Sequence, residues 1–256
     1  MRRYFVPGVL WLVGPNSFAL EADREDIRCE KVKELIIAID GPSGAGKSTL
    51  AKRLARDLGY TYLDTGAMYR ALALKILRQG LDLSDATKLA KLVEATDIDL
   101  VHREGNLQVL LDGVNVSALI RTPEVSQMAS KASAFSVVRK RMLDLQRALG
   151  QRGNVVAEGR DIGTVIFPQA EVKIYLDASV QERARRRYEE LRAAGRDVTV
   201  EETIRELEER DKRDSERDVA PLRKAEDALA IDSSGLTAEA VLERVMRVIK
   251  QKSLTN

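Results

Sequence analysis

The residues best suited to chemistry follow Asp40, where the chain runs Gly41-Pro42-Ser43-Gly44-Ala45-Gly46-Lys47-Ser48. The spacing is G-x-x-x-x-G-K-[ST], and it falls where that pattern must fall, between an apolar run and a segment of helical periodicity. Glycines let a backbone curl around an anion, so that its N–H groups and the start of the next helix face phosphates. Lys47 adds a positive charge, Ser48 a hydroxyl for Mg²⁺, and Thr49 a further hydroxyl near the phosphates. The chemistry this implies is binding of ATP with Mg²⁺ and transfer of its γ-phosphoryl group. A glycine-rich turn with no ligand is the bland alternative, and the flanking elements argue against it.

The acceptor is constrained by what the chain lacks. It has one histidine, His102, which alternates with apolar neighbours as an exposed strand residue would, and one cysteine, Cys29, outside the core. An alcohol acceptor calls for a positioned base. A nucleoside monophosphate carries its own anionic nucleophile, and the protein need only bring two polyanions together and neutralise them. Arginine suits that task because its planar fork binds phosphate oxygens in pairs. Arginines are frequent after the phosphate loop: Arg70, Arg139, Arg160, the group Arg183, Arg185, Arg186 and Arg187, then Arg210, Arg213 and Arg217. Most arginines on charged helices are simply solvated, so position matters more than number. Arg160 and Asp161 follow the short strand Val155 to Ala157, and Arg70 lies on the helix after Asp64-Thr65-Gly66. Both groups sit at the carboxyl end of a strand, where open α/β sheets bind ligands.

The elements that must hold these residues alternate in type. Leu35 to Asp40 reads as a buried parallel strand, Lys47 to Leu58 as a helix, Tyr60 to Leu63 as a strand and Gly66 to Gln79 as a helix. Ser84 has the chemistry of an N-cap for a further helix. Between Ile98 and Val116 the period drops to two, with turn signals at Glu104-Gly105-Asn106 and Asp112-Gly113, which predicts a small antiparallel insert. Two helices fill Pro123 to Gly150, and short strands return at Val155 to Ala157 and Val172 to Leu176. Val180 to Asp218 is charged and helical, with Thr199 and Glu202 spaced as a capping box. A last strand at Ala228 to Ile231 and a last helix at Thr237 to Lys252 close the pattern of a parallel α/β core.

With 256 residues, 44% of them hydrophobic, the chain can bury one substantial core. Its 42 basic and 40 acidic residues leave a net charge of +2, which provides no global field for nucleic acid or an anionic membrane. A single cysteine excludes an internal disulfide and no Cys/His group has zinc-site spacing, so a reducing, cytoplasmic setting is expected. At the N-terminus Arg2 and Arg3 precede the apolar stretch Tyr4 to Val13, with Ala19 and Ala22 beyond it, in the manner of a signal peptide. Pro7 and Gly8 interrupt that stretch, and it is too short to span a bilayer. Residues 1–31 are therefore expected to be a dispensable leader, followed by one kinase domain over 32–256.

These segments resemble bacterial cytidylate kinase, a P-loop nucleoside monophosphate kinase, from about Leu35 to the C-terminal helix. The resemblance rests on GPSGAGKST (Gly41 to Thr49), DTGAMYR (Asp64 to Arg70), EGRDIGTVIFP (Glu158 to Pro168), VKIYLDAS (Val172 to Ser179) and RDKRDSERDVAPL (Arg210 to Leu222). It implies an α/β fold with a parallel core, an antiparallel insert near 97–121 within a monophosphate-binding region near 64–150, and a helical lid near 180–221. It implies transfer from ATP to CMP or dCMP by a monomer, with no nucleic-acid or membrane partner. Carried over by position, Lys47, Arg160 and Arg213 are the catalytic arm, and Thr65, Arg70 and Arg160 face the acceptor phosphate. Ser130, Arg139 and Asp161 read the cytosine edge. Asp214 meets the ribose hydroxyls, with Arg210 and Arg217 beside it, while Arg183, Arg187 and Arg213 close over the ATP phosphates. Glu158 or Asp64 supports Mg²⁺ behind Ser48, and the sequence does not separate them. A kinase for adenylate, shikimate or a dephospho-cofactor would need a different acceptor pocket. A nucleotide-driven switch would carry a guanine-reading N-K-x-D segment, which is absent.

Overall fold

Ile36–Asp40 (β1) carries apolar side chains on both faces, as a central parallel strand must, and its two neighbours arrive from much later in the chain. The computed structural model describes residues 35–254 apart from 104, 105 and 152. The predicted leader, Cys29 and the Glu104-Gly105 turn lie outside the described residues.

Lys47–Leu58 (α1) follows the phosphate loop, Thr61–Asp64 (β2) returns to the sheet, and Thr65–Arg78 (α2) starts at once from it. Ala86–Glu94 (α3) leads to the insert of Ile98–Arg103 (β3), Asn106–Leu111 (β4) and Val114–Asn115 (β5), a three-stranded antiparallel sheet in sequence order. Pro123–Ala132 (α4) and Ser136–Gly150 (α5) precede Val155–Gly159 (β6). A π-helical turn over Ile162–Ile166 joins β6 to Val172–Asp177 (β7). Val180–Ala193 (α6), Val200–Glu216 (α7), Leu229–Asp232 (β8) and Ala238–Leu254 (α8) complete the chain.

The main sheet is parallel throughout, in the order β2-β6-β1-β7-β8. Alternate residues of its strands feed two cores. Ile37, Ile39, Val156 and Ile174 pack with Leu50 and Leu54 of α1 and Val245 and Ile249 of α8. Ala38, Leu63, Val155 and Ala157 pack with α2, α3, α5 and the inner face of the insert, through residues such as Met68, Leu72, Leu89, Met142 and Leu111. Among the described residues no helix is long and apolar enough to cross a membrane.

Two local expectations change and one gains detail. The cap of α3 is Asp85, one residue after Ser84, and its side chain accepts from Lys88 N at 3.0 Å, while the Ser84 N–H donates to Asp82 Oδ1 at 2.9 Å. The charged run from Val180 is two helices, broken where Gly195 adopts φ 73 and Thr199 opens α7 with a capping box. β6 extends to Gly159, so that Arg160 leaves the strand end directly.

Candidate active site

The phosphate loop is built on backbone that only glycine tolerates. Gly41 has φ 145, and a Cβ there would lie 1.9 Å from the Leu176 carbonyl oxygen on β7. Gly46, at φ 95, is the N-cap of α1 and leaves the first N–H groups of that helix without a side-chain cap. Lys47 is buried and its Nζ donates to the Pro42 carbonyl at 2.6 Å, so the lysine closes the loop on itself. Burial first, then the nearby Arg160, lower its pKa well below the usual lysine value, while Glu158 opposes. Pro42 and Ala45 are buried, Ser43, Gly44 and Ser48 are half-buried, and Thr49 is exposed on the first turn of α1. Ser233, in the loop after β8, donates to the Ala45 carbonyl at 3.1 Å and ties the far end of the sheet to this loop.

Ser48 lies beside a buried carboxylate on the neighbouring strand. Tyr62 of β2 donates its hydroxyl to Glu158 Oε1, and Ser48 is close enough to both to affect their ionisation. Burial, and then the adjacent Asp64 carboxylate, raise the Glu158 carboxyl above its usual range, with Lys47 opposing. Asp64 is otherwise engaged. It caps α2 by accepting from Ala67 N at 2.7 Å and pairs with Arg70 at 3.2 Å. Of the two acids left open by the sequence, Glu158 is therefore the one against Ser48. No group of three or more His, Cys, Asp or Glu fit to hold a metal exists among the described residues.

The expected acceptor residues converge from α2, α4, α5, the end of β6 and α7. Thr65 is buried at the start of α2 and donates to the Glu158 carbonyl at 2.6 Å, an approach that only Gly159 permits, since a Cβ there would lie 2.6 Å from Thr65 Oγ1. Arg160 Nε reaches Asp214 Oδ2 at 2.9 Å, and Arg210 and Arg217 each approach the same carboxylate to 4.0 Å. One buried acid thus faces three guanidinium groups. Burial raises its pKa, but Arg160, Arg210 and Arg217 together hold it below the ordinary carboxylate value. Arg210 feels the opposite imbalance: burial and Arg160, with Arg70 and Arg187 adding, lower its pKa to about 10. The Nε atoms of Arg70 and Arg210 and Nη2 of Arg217 are shielded from solvent without a hydrogen-bond partner. Arg210 Nε and Arg217 Nη2 face the Asp214 and Asp161 carboxylates at ion-pair distance, 4.0 and 3.6 Å, too far for a hydrogen bond.

Arg139 and Asp161 form a buried pair, with Arg217 Nη2 3.6 Å from the other Asp161 oxygen. Arg139 also donates to the Ser133 carbonyl at 3.3 Å and lies 5.7 Å from the centre of the Tyr69 ring. Ser130 is buried beside them, at the edge of a cavity of ≈ 380 Å³ that Ser133, Arg213 and Arg217 also line. Arg213 Nε is 3.4 Å from Ser130 Oγ, on the acceptor side. Arg183 is buried, donating to the Ala178 and Ser43 carbonyls and pairing with Asp211 at 2.7 Å, which fastens α6 to both the phosphate loop and α7. Arg187 pairs with Glu190 on its own helix.

The sequence profile of the cytidylate kinase family matches residues 37–251. The chain belongs to the cytidylate kinase family. It is 51% identical over 217 residues to the cytidylate kinase of Carboxydothermus hydrogenoformans, covering 85% of this chain and 98% of that protein. Identity to the cytidylate kinase of Bacillus subtilis is 50% over 221 residues, 86% of this chain and 99% of that one. That of Syntrophotalea carbinolica is 52% identical over 220 residues, 86% and 94% respectively. The site also contains residues that sequence reasoning passed over. Asp40, the last residue of β1, accepts from Ile162 N and Gly163 N. Tyr62 reads as core until its hydroxyl is seen on Glu158. Arg121, at the end of the insert, reaches to 4.0 Å from Asp64. Only Asp40 carried a signal, a charge closing an otherwise apolar strand.

Proposed function

We infer that the chain transfers the γ-phosphoryl group of ATP to CMP or dCMP, giving CDP or dCDP and ADP. The observation that carries the acceptor half is the set of arginines around Asp214, with buried guanidinium nitrogens on Arg70, Arg210 and Arg217 that have no hydrogen-bond partner. The acceptor phosphate, bound by Thr65, Arg70 and Arg160, directs an oxygen at the γ-phosphorus. A new P–O bond forms as the bond to the β,γ-bridging oxygen breaks, and ADP leaves with that electron pair. Lys47, Arg160 and Arg213 neutralise the charge that the two polyanions bring together. Arg183 and Arg187 hold the donor end of the lid, and Asp214, Arg210 and Arg217 hold the sugar side of the acceptor.

Ser48, with Glu158 behind it, would hold Mg²⁺, which would supply charge neutralisation to the phosphates of ATP. Arg139 and Asp161 read the base. Cytosine presents an amino donor beside a ring-nitrogen acceptor, and uracil reverses both. Asp161 accepts from the amino group, Arg139 donates to the ring acceptor, and Ser130 assists. UMP leaves a buried carboxylate facing a carbonyl, so kcat/KM should favour CMP by at least roughly tenfold. A panel of CMP, dCMP, UMP and AMP with ATP and Mg²⁺, scored by product identity, tests the assignment. Faster turnover of AMP than of CMP would refute it.

A further inference from the structure

Asp40 sits where a charge is costly, at the end of a central strand, with only 4% of its surface exposed. A residue needed for packing alone would be apolar there, and one needed for a single hydrogen bond would be a neutral amide. The carboxylate does something neither can do. Its two oxygens accept from two consecutive backbone N–H groups, Oδ1 from Ile162 at 2.7 Å and Oδ2 from Gly163 at 2.8 Å. An amide offers only one acceptor in that plane. The two N–H groups open the π-helical turn whose N-cap is Asp161, and the Asp161 carbonyl in turn accepts from Val165 and Ile166. The next residue after Asp40 is Gly41, the first of the phosphate loop. One side chain therefore joins the strand that carries the donor cradle to the turn that carries the base-reading carboxylate.

We propose that Asp40 is a positioning residue for base selection, holding Asp161 in register with Arg139 from the donor side of the site. The proposal rests on the assignment of Asp161 as a reader of cytosine. Asp40 touches neither nucleotide in this scheme. It acts through the turn, and its loss lets Asp161 drift from the geometry that distinguishes an amino group from a carbonyl.

The test is steady-state kinetics of the full chain with CMP, UMP and ATP, on Asp40→Asn, Gly163→Ala and Asp161→Ala, with Asp40→Asn repeated in the Asp161→Ala background. Asp40→Asn should raise KM for CMP roughly tenfold and cut the CMP-to-UMP preference by a similar factor, with a smaller change in KM for ATP. Gly163→Ala approaches the same contact without removing the charge. Its Cβ would lie 3.4 Å from Asp40 Oδ2, an ordinary contact, and 3.1 Å from the side chain of Lys173, whose Nζ is tethered to the Pro168 carbonyl and Asp227, so the lysine must give by a few tenths of an ångström or pass the strain to the turn. It should move the CMP constants in the same direction, and it decides the matter if Asp40→Asn does not fold. In the double variant Asp40→Asn should cause no further loss of preference. If Asp161→Ala lowers the preference but neither Asp40→Asn nor Gly163→Ala does, whatever their melting temperatures, the positioning role is overturned and base reading stands. Additive losses in the double variant also overturn it. An unchanged preference in Asp161→Ala removes base reading, and the role of Asp40 with it.

Discussion

Replacing Asp214 by Asn tests whether the arginine group is assembled for an anion. The carboxylate is 5% exposed and lies 2.9 Å from Arg160 and 4.0 Å from both Arg210 and Arg217. At about 4 Å and an effective dielectric near 20, each pair contributes a gross attraction of about 4 kcal/mol, most of it offset by desolvation. Removing one partner of a buried ionic group costs about 3–5 kcal/mol. The lower end applies, because Arg160 and Arg210 retain 17% and 25% of their side-chain exposure and Asn still offers one acceptor. A loss of about 3 kcal/mol in a chain this size lowers Tm by roughly 6–12 °C. The sign of the anion effect is the sharper part. Uncompensated guanidinium groups should make inorganic phosphate raise Tm more in Asp214→Asn than in the unsubstituted protein, by mass action on the folded state. Differential scanning calorimetry across a phosphate series measures both. A Tm loss under about 2 °C, or the same phosphate increment in both proteins, would refute the reasoning.

Other outcomes follow from the same geometry. Lys47→Ala should lower turnover by at least roughly 10² while circular dichroism stays unchanged, since Lys47 contributes a loop contact and a phosphate-facing charge. Gly159→Ala puts a Cβ 2.6 Å from Thr65 Oγ1 and 2.7 Å from Ile162 Cδ1, so KM for CMP should rise with little change in KM for ATP, read by initial rates. Burial raises the Asp40 pKa to about 6, so between about pH 4 and 6 the folded chain holds a proton that the unfolded chain has lost. This group's contribution to stability therefore grows as pH falls through that window, by about 3 kcal/mol in all, and urea titrations of Asp40→Asn should lack that component. Asp214, with a depressed pKa, contributes in the opposite sense, its stabilisation being lost as pH falls below the ordinary carboxylate range. The lid assignment predicts that ATP plus CMP slow hydrogen exchange across 180–221 relative to the free protein, and equal protection in both states would count against closure.

Much of this fold is legible because its local signals agree. The phosphate loop, the period-two insert and the capping box at Thr199 each carry their own stereochemical reason, and each is found where the spacing puts it. The π-helical turn carries none. Two of its N–H groups donate to Asp40, more than a hundred residues earlier, a contact that no local pattern announces. The arginines of α6 make the same point, since Arg183 is clamped to Ser43 while Arg185 two residues on pairs with Glu182 and Glu189 in solvent. Their types are identical, and the helix face decides which one reaches the phosphate loop. Ser84 and Asp85 are both good caps one residue apart, and residue type alone does not say that the helix starts from Asp85, which accepts from Lys88 N.

The strand order has a consequence for how the protein is made. Among the described residues β1 pairs only with β6 and β7, and β2 only with β6, so Ile36 meets its partner Val155 about 120 residues later. At ~5–20 residues per second a ribosome needs roughly 6–24 s to cover that distance. For that interval the apolar strand in front of the phosphate loop has no sheet to join. α2, α3 and the antiparallel insert can form meanwhile from local contacts, which makes the acceptor half the first structure available on the nascent chain. The main sheet closes only when β6 emerges, and until then both Ile36–Asp40 and Thr61–Asp64 are strands without a neighbour to pair with.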